Sequence, residues 1–118
     1  MLNDIKFTEK VVGTKLLNSL EHAMHGLKWP YERKAPDFRS PHLTKFEFGL
    51  GGFFGYNAWI EPNIDSTQAY DKITVCTQEL VADEKYRNNI QRLIVEINKG
   101  IYNFPEVTQA KSLSQSQL

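Results

Sequence analysis

The spacing of apolar residues changes along this chain, and the change limits the folds open to it. Residues 8–27 and the segment after Asp83 repeat apolar side chains every three or four positions, which is the period of an amphipathic helix. Residues 43–62 and 72–81 alternate apolar and polar side chains, which is the period of a strand. The sequence therefore predicts an α+β domain with two helices packed on a small, mainly antiparallel sheet of about three strands.

The first helix is predicted over residues 8–27, with Thr8 as its cap and Gly26 near its end. Residues 28–43 contain three prolines, which predict an extended connector. In residues 43–62 a glycine cluster interrupts the alternation, so two short strands joined by a glycine turn and one bulged strand both fit. Residues 63–71 are predicted to form a loop before the strand at 72–81.

The second helix is predicted to begin at a cap, Asp83, and to end near Gly100 and Pro105. Its predicted core face comprises Tyr86, Ile90, Leu93, Ile94, Ile97 and Ile101. Residues 1–105 are predicted to form a single domain, in which residues 1–7 lie outside the core. Residues 106–118 are predicted to form a polar tail that cannot order itself alone.

Charge and composition exclude several classes of partner. Lys+Arg and Asp+Glu both count 14, so nothing favours nucleic acid or an anionic membrane surface. No stretch approaches the roughly 18 apolar residues of a membrane helix, and residues 1–10 lack the apolar core of a signal peptide. Cys76 is the single cysteine and can form no intrachain disulfide. The expected partners are other protein subunits, with no nucleic acid and no direct membrane span.

Two sets of residues could carry chemistry. His22 and His25 lie on one helix face, and with His42 they could ligate zinc. The alternative is a pair of partly exposed histidines on a helix flank, which the shortage of further ligands beside them favours. Cys76 lies mid-strand, where a small buried side chain is more common than a nucleophile. The glycines of residues 49–55 precede a strand rather than a helix, which favours a turn or bulge over a phosphate loop.

Four features follow one another over residues 16–103. They are LLNSLEHAMHG at residues 16–26, the Gly-Gly-Phe of residues 51–53, ITVCTQ at residues 73–78 and the helix at residues 89–103. Their order resembles that of a family of small mitochondrial metallopeptidases that process an ATP synthase subunit in the intermembrane space.

The departures from this family concern its HExxH zinc motif. At the position of this motif, which we call the HExxH-like slot, the chain has Val95-Glu96-Ile97-Asn98-Lys99. Val95 has no donor atom, and the ammonium of Lys99 would have to lose its proton before it could bind zinc. Glu96 occupies the position of the family's general base, but a base without a metal-bound water has nothing to activate. The resemblance therefore implies an inactivated scaffold, while the residues alone also allow Glu96 to be an ordinary helix-surface carboxylate.

The function predicted from the sequence is that of a non-catalytic accessory subunit of a larger assembly, with no catalytic residues, metal or cofactor. The resemblance narrows this to a mitochondrial respiratory or ATP synthase complex, and the location otherwise expected is cytoplasmic. A small inhibitor or immunity-type protein that binds one specific partner is the alternative, and an enzyme that uses the three histidines is a third class. Partner contacts are expected at both chain ends, and in the tail from Phe104, Val107, Leu113 and Leu118.

Overall fold

The computed structural model describes residues 2–78 and 84–103. The elements are β1 (Leu2–Val12), α1 (Gly13–Leu27), β2 (Tyr31–Lys34), β3 (Leu43–Phe48), a 3-10 turn (Leu50–Gly52), β4 (Ala58–Glu61), β5 (Ile64–Asp65), β6 (Ala69–Thr77) and α2 (Glu84–Asn103).

The strands form one antiparallel sheet in the order β1-β6-β4-β3-β2, with β5 paired to β3. The predicted α+β class, with two helices on an antiparallel sheet, is confirmed. The predicted strand number is wrong, because the described residues already form a sheet of six strands rather than about three. The additional strands lie in segments that were predicted as helix, connector or loop.

Strand β1 corrects the predicted start of the first helix. Residues 2–6 and 11–12 pair with β6, with Ile5 opposite Ile73, and α1 begins only at Gly13. Thr8 therefore lies in a strand and caps no helix. The side chains of Ile5 and Phe7 are buried, so the prediction that residues 1–7 lie outside the core is wrong for these two residues.

Gly13 marks the change from strand to helix because the chain approaches the β5–β6 turn closely there. Its N–H donates to the carbonyl oxygen of Gln68 at 2.7 Å. A Cβ atom at this position would lie 2.0 Å from the carbonyl oxygen of Asp65, which no side chain can tolerate. Gly13 therefore anchors the first turn of α1 to the sheet.

The predicted connector and loop also contain strands. Tyr31 pairs with Phe48 in the β2–β3 ladder, so residues 28–43 are only partly a connector. The two-residue strand β5 pairs with the start of β3, and β6 begins at Ala69, three residues before the predicted position. Strands β3 and β4 pair in an antiparallel manner across the glycine-rich segment. Of the two predicted alternatives, two strands joined by a turn is therefore correct and one bulged strand is wrong.

Both helices and the sheet contribute to one hydrophobic core. The predicted apolar face of α2 is confirmed, since all its members are buried except Ile94, which is partly buried. Helix α2 continues past Gly100 to Asn103, and the predicted cap Asp83 lies outside the described residues. Neither described helix has the length and apolar character of a membrane span.

Candidate functional site

Helices α1 and α2 run antiparallel, and a groove of about 520 Å³ opens where α1 ends beside the middle of α2. We call it the helix-end groove. Its lining residues are Gly26 and Leu27 of α1 and Asn88, Gln91, Arg92, Val95 and Glu96 of α2. The groove exists because α1 stops at Leu27, whereas α2 extends beyond this point toward its own N-terminus.

The end of α1 is set by a left-handed residue. Lys28 has a φ of 64°, and the N–H of Trp29 donates to the carbonyl oxygen of Met24 at 3.0 Å, which closes the last turn. Gly26 keeps the groove open, since an added Cβ atom there would lie 3.0 Å from Oε1 of Glu96. The chain then turns into the core at Trp29, which is buried.

Three large apolar side chains are exposed on α2 and on the adjoining β3–β4 loop. Val95 is 46% exposed on α2, while Phe53 and Phe54 of the β3–β4 loop are 54% and 86% exposed. The loop lies against α2, since a Cβ atom added to Gly51 would lie 2.5 Å from Nδ2 of Asn89. Apolar side chains of this kind, exposed on two adjoining elements, are typical of a binding surface.

The charged groups of the helix-end groove differ in their pairing. The Lys99 ammonium lies 3.2 Å from Oε2 of Glu96, so the groove carboxylate has a cationic partner. The Arg92 guanidinium lies 5.8 Å from the centroid of the Trp29 ring, within the range of a cation–π interaction. Among residues 2–78 and 84–103, no carboxylate lies within 4.0 Å of Arg92.

The structure places the three residues of the HExxH-like slot on one stretch of α2. Val95 and Glu96 line the helix-end groove, and Lys99 pairs with Glu96 one turn further along. They form an apolar wall and an ion pair rather than a set of metal ligands. In the part of the chain that the structure describes, no three His, Cys, Asp or Glu side chains gather at metal-binding distance.

The structure does not bring the three histidines together. His25 Nε2 lies 3.1 Å from the hydroxyl of Tyr31, near the end of α1. His42 Nε2 lies 3.8 Å from Oδ2 of Asp65, at the opposite end of the sheet. His22 is exposed on α1. The geometry therefore favours His22 and His25 as histidines on the flank of α1 over a zinc site shared with His42.

The burial predicted for Cys76 is confirmed. Its side chain is 2% exposed, and its neighbours across the sheet are Leu2 and Trp59. Burial raises the pKa of this thiol, and the negative charge of Glu61 raises the pKa further. A thiol with a raised pKa is a weak nucleophile at neutral pH.

The four predicted tail contacts, Phe104, Val107, Leu113 and Leu118, lie outside the described residues, so their role stays a prediction. The last described turn of α2 borders a smaller pocket of about 250 Å³ beside β1. There the hydroxyl of Tyr102 accepts a hydrogen bond of 3.2 Å from the N–H of Thr8.

Sequence reasoning missed Arg92, which lines the groove, and the exposed Phe53 and Phe54 of the adjoining β3–β4 loop. The sequence did contain a signal for the exposed apolar side chains. Val95 is a large apolar residue that stands off the buried stripe of α2, and adjacent phenylalanines after a glycine pair are unusual in an exposed turn. The groove itself depends on where α1 ends relative to α2, which local spacing does not reveal.

No family model matches the chain, and no curated protein or solved structure matches it either. The similarity to the mitochondrial metallopeptidases thus depends on the order of its motifs alone and stays a prediction.

Proposed function

We propose that this chain is a non-catalytic protein-binding domain that docks a partner protein in the helix-end groove. The observation that carries the proposal is the exposed Val95 beside Arg92 in that groove, together with the exposed Phe53 and Phe54 on the adjoining β3–β4 loop. Val95 and Phe54 are solvent-exposed although both are large and apolar. Protein interfaces are enriched in aromatic residues and arginine, which is the composition of this surface.

The finer version of the proposal is an accessory subunit of a mitochondrial respiratory or ATP synthase complex. It is supported by the metallopeptidase resemblance and by Val95 and Lys99 at the zinc-ligand positions. The alternative, a small inhibitor or immunity-type protein, would use the same groove. The two versions differ in the size of the complex, because a subunit remains in a large assembly and an inhibitor leaves with one stoichiometric partner.

The test is native co-purification of the tagged full chain from the cells that produce it, with mass spectrometry of what is retained. The chain offers matched control variants. Val95→Asp changes the groove, whereas Val12→Asp makes the same change at a valine of similar exposure, 50% against 46%, near the other end of the helix pair. Phe54→Asp and Phe38→Asp form a second pair, at 86% and 87% exposure.

We expect a partner that is retained by the wild type and by both control variants. Its recovery should fall about tenfold or more with Val95→Asp and with Phe54→Asp, because each places a charge in an apolar contact. If the groove variants recovered as much partner as the wild type, the proposal would be contradicted. It would also be contradicted if only the control variants lost the partner. The absence of any partner that depends on Val95 would contradict it as well.

A further inference from the structure

The guanidinium of Arg92 is held in place before any partner binds. It lies over the Trp29 ring at 5.8 Å and contacts Oδ1 of Asn89 at 3.5 Å. Trp29 is itself fixed, because it is buried and its ring stacks parallel to that of Phe48 at 6.4 Å. A side chain that is already ordered loses less entropy on binding, so Arg92 is well placed to recognise a ligand.

The hydrogen-bonding capacity of Arg92 is largely unused within the described chain. A guanidinium has five N–H donors, and no described carboxylate lies within 4.0 Å of this one. Arg33 shows the contrasting case, since its Nη1 lies 2.9 Å from Oε2 of Glu21. Arginine pairs most strongly with planar carboxylates, through two parallel hydrogen bonds.

The acidic residue inside the groove does not oppose such a ligand strongly. Lys99 neutralises Glu96 at 3.2 Å, and Lys28 adds an exposed positive charge where α1 ends. Among residues 2–78 and 84–103, Lys28 has no carboxylate within 4.0 Å. The mouth of the helix-end groove is therefore positive overall.

An apolar wall stands directly beside this charge. Val95 follows Arg92 by three positions on α2, so the two residues share a helix face, with Cβ atoms about 5–6 Å apart. Gly26 and Leu27 form the opposite wall. A small anion would bind the guanidinium and leave the apolar wall exposed to water. A ligand that carries both an acidic and an apolar group would bind the guanidinium and also cover the apolar wall.

We infer that the occupant of the groove is an acidic-apolar segment of a partner protein, in which an Asp or Glu stands close to an aromatic or large aliphatic side chain. The carboxylate binds Arg92, and the apolar side chain packs against Val95. This inference rests on the proposed function and adds the chemistry of the partner. Basic segments and purely apolar segments are the occupants that it excludes.

The probe is a library of short random peptides displayed on phage and selected on the immobilised wild-type chain. We expect the selected peptides to be enriched in Asp or Glu within a few positions of an aromatic or large aliphatic residue. The affinity of the synthesised peptides should fall about tenfold or more with Arg92→Gln and should weaken as salt is added. The matched control is Arg39→Gln, since Arg39 also lies over an aromatic ring, that of Phe38, at 5.5 Å.

The outcomes separate the inference from the proposed function. Peptides that need Val95 but carry no acidic excess, or that bind Arg92→Gln as well as wild type, overturn the inference and leave the docking groove in place. Peptides that bind Val95→Asp as well as wild type contradict the groove itself. Selection of lysine- or arginine-rich peptides, or failure to select any peptide that depends on Arg92, also overturns the inference.

Discussion

Gly100 of α2 packs directly against Ser19 of α1. A Cβ atom added to Gly100 would lie 3.0 Å from the Cα atom of Ser19, and Ser19 is 2% exposed. The absence of a side chain on Gly100 lets the helix backbones approach one another. This glycine therefore serves helix packing, whereas the sequence predicted that it lies near the end of the helix.

The first prediction compares the two helical glycines, Gly100 and Gly26. Gly100→Ala should lower the free energy of unfolding by about 1–3 kcal/mol through overpacking, because the new methyl group meets backbone. Gly26→Ala should change it by less than about 1 kcal/mol, because its methyl group meets only the flexible end of Glu96, and alanine favours the helix. Urea denaturation measures both, and equal stability of the two variants would refute the close helix contact.

The second prediction concerns the buried and exposed faces of α2. Leu93 is fully buried, whereas Val95 is 46% exposed. Leu93→Ala should destabilise the chain by about 2–5 kcal/mol, and Val95→Ala should remain within about 0.5 kcal/mol. Ile94→Ala should fall between them, since Ile94 is only partly buried. Thermal unfolding measures the order of stability of the three variants. A large loss of stability with Val95→Ala would show that Val95 lies on the buried face of α2, which would contradict the structure.

The third prediction concerns the reactivity of Cys76. Because burial and the nearby Glu61 raise the pKa of its thiol, a thiol-specific reagent at neutral pH should label it slowly in the folded chain and rapidly in denaturant. The control is Val95→Cys, which adds an exposed thiol and should take up one label under native conditions. Rapid native labelling of the wild-type chain would show that Cys76 is accessible.

The fourth prediction concerns Asp4 on β1. The Thr74 hydroxyl donates to its Oδ1 at 2.8 Å, and Lys72 lies 3.4 Å from Oδ2. Together they hold the pKa of Asp4 below its ordinary value, with the hydrogen bond from Thr74 as the larger cause. A lowered pKa stabilises the fold at pH values above the pKa of the unfolded chain, and this contribution is lost as the pH falls through the lowered pKa.

Thr74→Val should therefore raise the pKa of Asp4 toward its ordinary value, as followed by carboxyl NMR. Asp65 is the internal control, because its pKa is lowered mainly by hydrogen bonds from Thr67 and should not move. An unchanged Asp4 titration in the variant would show that Thr74 does not stabilise the carboxylate.

The elements that could be predicted from the sequence are those with an uninterrupted pattern. Helix α2 keeps one apolar face over its described length, and β3 alternates as a half-buried strand does. Strand β1 was missed because its register breaks between Lys6 and Val11, which disturbs the alternation. Strands β2 and β5 are short and depend on pairing with β3, and such non-local pairing leaves little local signal.

The candidate site was predictable only in part. The HExxH-like slot drew attention to Val95 and Glu96, and both line the helix-end groove. Arg92 was not expected there, because its position over Trp29 depends on how the end of α1 packs against α2. A groove formed by two distant segments is a property of tertiary packing, which the spacing of residues along one helix does not contain.

The most direct test of a partner-binding groove is site-specific photo-crosslinking in the native cells. A photoreactive amino acid replaces Val95 in one full-length chain and Val12, of similar exposure, in another. The account predicts that irradiation links position 95 covalently to one partner protein, whereas position 12 gives no such product. A product formed from position 12 alone, or from neither position, would contradict the central claim that the helix-end groove binds a protein.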